Sequence, residues 1–264
     1  MNKQLSILAA ALAMSVSVSA HAALTAGDIA IIGWIDNGTP DSFSFVTLAD
    51  VNAGEVVYFT DNGWTGTGFR SPSATDGDGN ENLIKWTATS TIAAGTIINS
   101  NATGASYAWT KSGSVPGGTS GSFGDLSLSQ TAEQIYAFQG ANSLPLQNPT
   151  QHLFVLDDTN GFENATDSGT GNVPTGLTVG QTALTFNFSS ANYLAVSSSV
   201  LGGAAKSKEQ WLAAFATSSN WTTGATGALP IGTIAMAPVP EADTYALMLA
   251  GLGLVGFMAR RRQA

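Results

Sequence analysis

The chain has 264 residues, of which 44% are hydrophobic and only 10% are charged, with a formal net charge of −9 and no cysteine. This length and apolar content are enough to bury a core, which excludes a wholly disordered chain. The lack of cysteine excludes disulfide scaffolds, thiolate nucleophiles and Cys-ligated zinc. Between residues 23 and 239, sixteen carboxylates outnumber five basic side chains, and this balance of −11 argues against nucleic-acid binding.

The first 22 residues have the three parts of a secretory signal peptide. Lys3 precedes an apolar run over residues 5–18, and Ala20 and Ala22 place small side chains where a signal peptidase reads them. We expect cleavage after Ala22, although a buried N-terminal helix is an alternative. The exported domain would then cover residues 23–237.

Most of this domain is predicted to form short β-strands. Runs rich in β-branched and aromatic residues are separated by Gly, Asn, Asp and Pro, a pattern typical of strands and turns. These runs cover residues 28–34, 42–48, 55–61, 82–87, 133–138, 152–156 and 183–188. Many short strands in succession predict a β-sandwich or a barrel.

Turn signals and periodicity refine this prediction. Asn37-Gly38 predicts a hairpin turn with positive φ between the first two strands. Two similar Ala-Gly turns, at residues 53–54 and 94–95, each precede an apolar strand. Phe43 and Phe45 fall on one strand face, because side chains alternate along a strand.

One helix is predicted to cover the sheet. Ser207 and Gln210 have the spacing of a capping box, and Trp211, Leu212 and Phe215 share one helix face.

The body as a whole also resembles a known group of domains. The runs over residues 27–33, 57–64, 84–87 and 133–138, followed by 174–177 and 220–222, look like exported bacterial domains that are similar to lamin-tail β-sandwiches. The resemblance implies a mainly β, immunoglobulin-like sandwich with extra strands and one covering helix. It implies no catalytic residue.

Residues 238–264 combine a short motif, an apolar stretch and an arginine cluster. Val239, Pro240 and Glu241 precede fifteen mostly apolar residues (245–259), which are followed by Arg260, Arg261 and Arg262. Fifteen helical residues at ~1.5 Å each reach ~22 Å, which is less than the ~30 Å of a bilayer core. The pattern therefore predicts a temporary anchor whose arginines stay in the cytoplasm.

This tail resembles the PEP-CTERM sorting signal of Gram-negative bacteria, although Ala242 stands where the motif has its second proline. The resemblance implies that the membrane protease exosortase removes the tail. It also implies that the protein passes from transient inner-membrane anchoring to the cell surface or the extracellular polysaccharide matrix.

An acidic stretch is the strongest candidate for a metal site. Its oxygen-bearing side chains could converge on Ca²⁺, which binds 6–8 oxygens. The candidate ligands are Asp76, Asp78, Asn80 and Asn82. Glu81 and Thr87 occupy positions where an EF-hand has Gly and a bidentate Glu, so the pattern is not an EF-hand. A solvated acidic turn is the alternative, and Ca²⁺ is the one possible cofactor.

Carbohydrate binding is the other candidate activity. Trp64 and Phe69 flank a Gly-Thr loop and could stack on a sugar ring, with core packing as the alternative. A Ser-His-Asp hydrolase would have to use His152, but the sequence contains no G-x-S-x-G motif to supply the serine. Asp157 and Asp158 are adjacent, and because neighbouring strand residues point to opposite faces, the two carboxylates cannot both enter one site without a bulge or turn. We therefore expect a non-enzymatic exported protein. The alternative is a Ca²⁺-assisted carbohydrate-binding module, or an enzyme that pairs distant carboxylates.

Overall fold

The computed structural model describes most of the predicted domain. The described residues are 23–70, 82–113, 123–130, 132–141, 145–158, 161–164, 169–188 and 191–238, together with 251, 252 and 255. Three of the predicted features lie outside these residues: the signal peptide with Ala20 and Ala22, the candidate ligands Asp76, Asp78 and Asn80, and the sorting motif with its three arginines.

Between residues 23 and 238, the described part of the chain contains twelve strands, two helices and one 3₁₀ turn. The strands are β1 (Ile29–Ile35), β2 (Ser42–Thr47), β3 (Val56–Thr60), β4 (Leu83–Ala88), β5 (Thr96–Asn99), β6 (Tyr107–Thr110), β7 (Gln134–Gly140), β8 (Pro149–Asp157), β9 (Ala183–Thr185), β10 (Tyr193–Val196), β11 (Trp221–Gly224) and β12 (Gly232–Thr233). The helices are α1 (Ser198–Leu201) and α2 (Lys208–Phe215), and the 3₁₀ turn is Ser218–Asn220.

The strands form two six-stranded sheets. Their orders are β11-β10-β1-β2-β5-β12 and β6-β4-β3-β7-β8-β9. All neighbouring strands pair antiparallel except β8 and β9, which pair in parallel. A mainly β fold with two sheets is therefore confirmed, whereas its immunoglobulin-like or lamin-tail-like identity stays a prediction.

Aromatic side chains join the two sheets. Phe43 and Phe45 project from one face of β2, and their ring centroids lie 4.8 and 4.9 Å from that of Phe59 on β3. Phe45 also meets Trp86 on β4 edge to face at 5.3 Å. All four side chains are almost fully buried, which confirms the predicted face of β2.

The predicted strands are all present, although the one from residue 183 is shorter than expected. The hairpin between β1 and β2 is confirmed, but its turn differs. Residues 36–41 form a wider loop with a cis Thr39-Pro40 bond, and Gly38 does not adopt a positive φ. The two Ala-Gly turns are alike, because Gly54 and Gly95 have φ values of 90° and 89°.

Helix α2 begins as its sequence predicts. The Ser207 side chain accepts a hydrogen bond from the Gln210 backbone, and the Gln210 side chain accepts one from Ser207 N–H. Trp211 and Phe215 are fully buried and Leu212 is 6% exposed. Burial of these side chains, at about 1.5–3 kcal/mol each, fixes the helix against the sandwich.

Candidate functional site

The chain leaves the sandwich beside the start of α2. Ala237 N–H donates to the Lys206 carbonyl at 2.8 Å, and Lys206 N–H donates to the Ala235 carbonyl at 3.1 Å. The Trp211 indole N–H also donates to Ala235 O, at 3.2 Å. Ile234 N–H donates to Gly95 O at 2.8 Å. We call residues 232–237 the C-terminal arm, and these bonds hold it against both α2 and the turn before β5.

A pocket of about 590 Å³ opens where the arm ends. We call it the exit pocket. Leu48, Ala49 and Ala94 line one side of it, and Met236 and Pro238 line another. Its lining is mostly apolar.

Charged groups stand around the exit pocket. Asp50 and Glu209 are exposed members of its lining. Lys208 also lines it, but its ammonium group pairs with Asp28 at 2.6 Å and donates to the Ala26 carbonyl at 3.1 Å. The positive charge is thus neutralised locally, and the rim is acidic.

The two aromatic residues predicted to form a ligand rim, Trp64 and Phe69, pack against each other and against the neighbouring strands. Trp64 is only 6% exposed. Its ring meets Phe69 edge to face at 5.1 Å and His152 at 4.6 Å. Thr65 N–H donates to Gly68 O at 2.8 Å, so the loop folds back and turns both rings toward β7 and β8. Trp64 thus exposes little ring surface, and a ligand site at Trp64 and Phe69 stays a prediction.

His152 belongs to this aromatic cluster. It is 7% exposed, and burial lowers its pKa to about 4. Nδ1 is buried without a hydrogen-bond partner among the described residues. The imidazole is therefore neutral near pH 7 and packs as an apolar ring.

Of the four candidate Ca²⁺ ligands, only Asn82 is described. Its side-chain amide donates to the Asp125 carbonyl at 2.6 Å, and its backbone N–H donates to Asp61 Oδ1 at 3.0 Å. Within the described ranges, no three His, Asp or Glu side chains are grouped so that they could hold a metal ion. The Ca²⁺ site at residues 76–82 stays a prediction.

Four carboxylates that the sequence analysis did not connect with one another hold the segment before β7. Asp61 Oδ2 accepts from Ser127 N–H at 2.7 Å and Asp41 Oδ2 accepts from Leu128 N–H at 2.8 Å. Glu133 Oε2 accepts from Ser129 N–H at 3.0 Å, and Asp158 Oδ1 accepts from Glu133 N–H at 2.8 Å. We call Asp41, Asp61, Glu133 and Asp158 the carboxylate clasp. It satisfies backbone donors that have no strand partner.

Strand topology explains why three of these carboxylates contact the same segment. Asp61 directly follows β3, Glu133 directly precedes β7, and Asp158 directly follows β8. Because β3, β7 and β8 are antiparallel neighbours, these three strand ends lie at the same edge of the second sheet. An acidic residue next to a strand end is the sequence signal that could have indicated the clasp.

Burial makes two clasp members unusually weak acids. Desolvation, together with the negative charges of Asp157 and Asp36, raises the pKa of Asp158 to about 7 against the lowering effect of the hydrogen bond from Glu133. Desolvation likewise raises the pKa of Asp41 to about 6. Asp158 Oδ2 is buried without a hydrogen-bond partner among the described residues.

The side chains of Asp157 and Asp158 make separate contacts, as expected for adjacent residues whose side chains point in opposite directions. Asp157 Oδ1 accepts a hydrogen bond from the Thr185 hydroxyl on β9 at 3.0 Å, whereas Asp158 contacts the start of β7. Both carboxylates therefore serve contacts within the fold.

The described part of the predicted tail helix lies apart from the sandwich core. Gly251, Leu252 and Val255 are helical, and Leu252 and Val255 are 62% and 66% exposed. Among the residues that the structure describes, no helix combines the length and the apolar character needed to cross a bilayer.

The molecule is thus a two-sheet β protein whose last described strand, β12, is followed along the sequence by the C-terminal arm and then by an apolar stretch with an arginine cluster. Residues 238–262 match the family model described as the PEP-CTERM protein-sorting motif. The chain therefore carries the predicted sorting signal, which supports sorting by an exosortase, a membrane protease, to the cell surface. No curated protein and no solved structure matches the chain.

Proposed function

We propose that this protein is a non-enzymatic β-sandwich that is exported, cut from its tail by an exosortase-type protease and delivered to the cell surface or the extracellular polysaccharide matrix. The sorting motif over residues 238–262 is the single observation that carries the proposal. The surface or matrix is the destination that such a signal implies.

The carboxylate clasp supports the non-enzymatic part of the proposal. Asp41 and Asp158 have the raised pKa values that a general acid would need. Each of them, however, accepts a hydrogen bond from a backbone N–H group of the segment before β7. The role of these carboxylates that the contacts support is therefore to hold the segment before β7 in place.

Neutralising the tail should block processing. We expect the triple substitution of Arg260, Arg261 and Arg262 by Gln to leave the full-length precursor uncleaved. Each cationic side chain contributes about 1 kcal/mol of attraction to an anionic membrane surface, and the cluster also fixes orientation. Immunoblots of cell fractions, with the mass of the mature protein, measure the result in cells with and without exosortase.

The matched control replaces the same three residues by Lys, which keeps the charge and should preserve processing. In cells with exosortase, the wild-type protein should appear in a shortened form outside the inner membrane. Full-length wild-type protein confined to the cytoplasm would contradict the proposed function.

A further inference from the structure

The fold and the sorting motif meet without a linker. Ala237 makes the last backbone hydrogen bond of the C-terminal arm, and the match to the sorting motif begins at residue 238. An extended residue spans at most ~3.6 Å, so Pro240 can lie no more than about 11 Å from Ala237. A protease that binds the motif would therefore contact the surface around Pro238.

That surface contains the exit pocket. Its volume of about 590 Å³ lies within the range of about 300–1,000 Å³ that is common for ligand pockets. Leu48 at its base is 3% exposed, whereas the small side chains of Ala49 and Ala94 leave the space open. Pro238 lines the pocket and is also the first residue of the matched motif.

The hydrogen bonds of the C-terminal arm fix the position of the motif's first residue relative to the exit pocket. Ile234 is tied to the turn before β5, and Ala235 is tied to both Lys206 and Trp211. A Cβ atom added at Gly95 would come within 2.4 Å of the Ile234 carbonyl oxygen, which shows how closely the arm lies on this turn. The exit pocket and the start of the motif are therefore presented together as one surface.

We propose that the folded domain takes part in its own processing, and that the exit pocket docks an apolar side chain of the outward-facing part of the exosortase-type protease. This inference rests on the proposed function. The lining of Leu48, Ala94 and Met236 suits an apolar group. The acidic rim at Asp50 and Glu209 favours a partner with basic residues beside that group.

Filling the pocket tests the inference. We expect Ala94→Trp to slow conversion of precursor to mature protein about tenfold, the effect of losing one well-packed interface contact. Ala94 N–H, which donates to Asp50 Oδ1 at 2.8 Å, is retained in this variant. The matched control is Ala53→Trp in the equivalent Ala-Gly turn, where processing should equal that of the wild type.

Pulse-chase immunoblots of the full chain in cells with exosortase measure the rates, and the melting temperature of the detergent-solubilised precursor reports on folding. If Ala94→Trp misfolds, Glu209→Gln supplies the test, with processing about two- to threefold slower because a rim charge acts mainly on association. This variant leaves the pocket volume unchanged.

The outcomes separate this inference from the proposed function. If the wild type is not cleaved at all, the proposed function fails. If the wild type is cleaved and every folded pocket variant is cleaved at the same rate, docking alone is overturned. Faster cleavage of Ala94→Trp would assign the pocket to the protein's own tail. A changed oligomeric state with unchanged cleavage would assign it to a second copy, and either result overturns the inference.

Discussion

Replacing Trp64 with alanine is expected to lower the free energy of unfolding by about 3–5 kcal/mol, the range for removing a buried aromatic side chain. The ring is 6% exposed and contacts Phe69 and His152, so its removal leaves a cavity between the loop and β8. At ~2–4 °C per kcal/mol for a domain of about this size, the melting temperature should fall by roughly 10 °C.

The control for this substitution is Ile231→Ala. Ile231 is 76% exposed, so its truncation should change the free energy of unfolding by no more than about 0.5 kcal/mol. Thermal unfolding of both variants measures the difference. An unchanged melting temperature for Trp64→Ala would mean that the indole is free at the surface, where it could stack on a sugar ring.

The aromatic loop illustrates what a sequence read locally cannot predict. The Gly-Thr composition of residues 65–68 predicts a loop, and Trp64 and Phe69 flank the loop that the structure shows. The direction of the rings depends on His152 and Phe138, which lie far along the chain on β7 and β8. Long-range packing of this kind leaves no periodic signal near the loop.

The same contrast between local and long-range information separates the strands and helices that the sequence predicts from those that it does not. Strands β1 to β5 and β7 to β9, together with helix α2, were predictable because their own residues supply the apolar runs and the capping box. β6, β10 and helix α1 were not predicted. β11 and β12 were missed because both threonines of β11 are exposed and β12 has only two residues. Their extended conformation depends on pairing with β10 and β5.

The carboxylate clasp was missed because its four members come from four segments. The sequence gives each acid a position beside a strand end, but only the order of β3, β7 and β8 brings Asp61, Glu133 and Asp158 together. The sorting signal was predictable for the opposite reason. All its parts are contiguous, so the order of residues 238–262 alone carries the information.

The clasp makes stability depend on pH. The pKa of Asp158 rises from 3.8 to about 7 on folding, so between these values the folded state holds a proton that the unfolded state has lost. Stability therefore falls as pH rises through this window. Asp41, with its pKa raised from 3.8 to about 6, acts in the same direction.

His152 acts in the opposite direction. Its pKa falls from 6.5 to about 4 on folding, so the unfolded state binds the extra proton and stability rises with pH over that interval. Between about pH 4 and 6, the effects of Asp41 and Asp158 on the free energy of unfolding oppose that of His152. Between about pH 6.5 and 7, only Asp158 still changes its average protonation between the two states. We expect a net loss of about 2 kcal/mol from pH 5 to pH 8.

Asp158→Asn should remove the largest contribution to this pH dependence. The amide oxygen can still accept from Glu133 N–H, while the buried negative charge is lost. At pH 8 the variant should be about 4 kcal/mol more stable than the wild type, and at pH 5 this difference should shrink to about 1.5 kcal/mol, because pH 5 lies close to the pKa of 3.8 that Asp158 has in the unfolded state. Denaturant unfolding at both pH values gives the four free energies.

Asp50→Asn is the matched control, because Asp50 also accepts one backbone N–H at 2.8 Å but is exposed to solvent. This variant should keep the pH dependence of the wild type. If Asp158→Asn instead destabilises the protein at pH 8, the carboxylate must be ionised and stabilised in the folded state, which would require a cationic partner at Oδ2. The sign of the change at pH 8 therefore decides whether Asp158 is held as a buried acid or as one half of an ion pair.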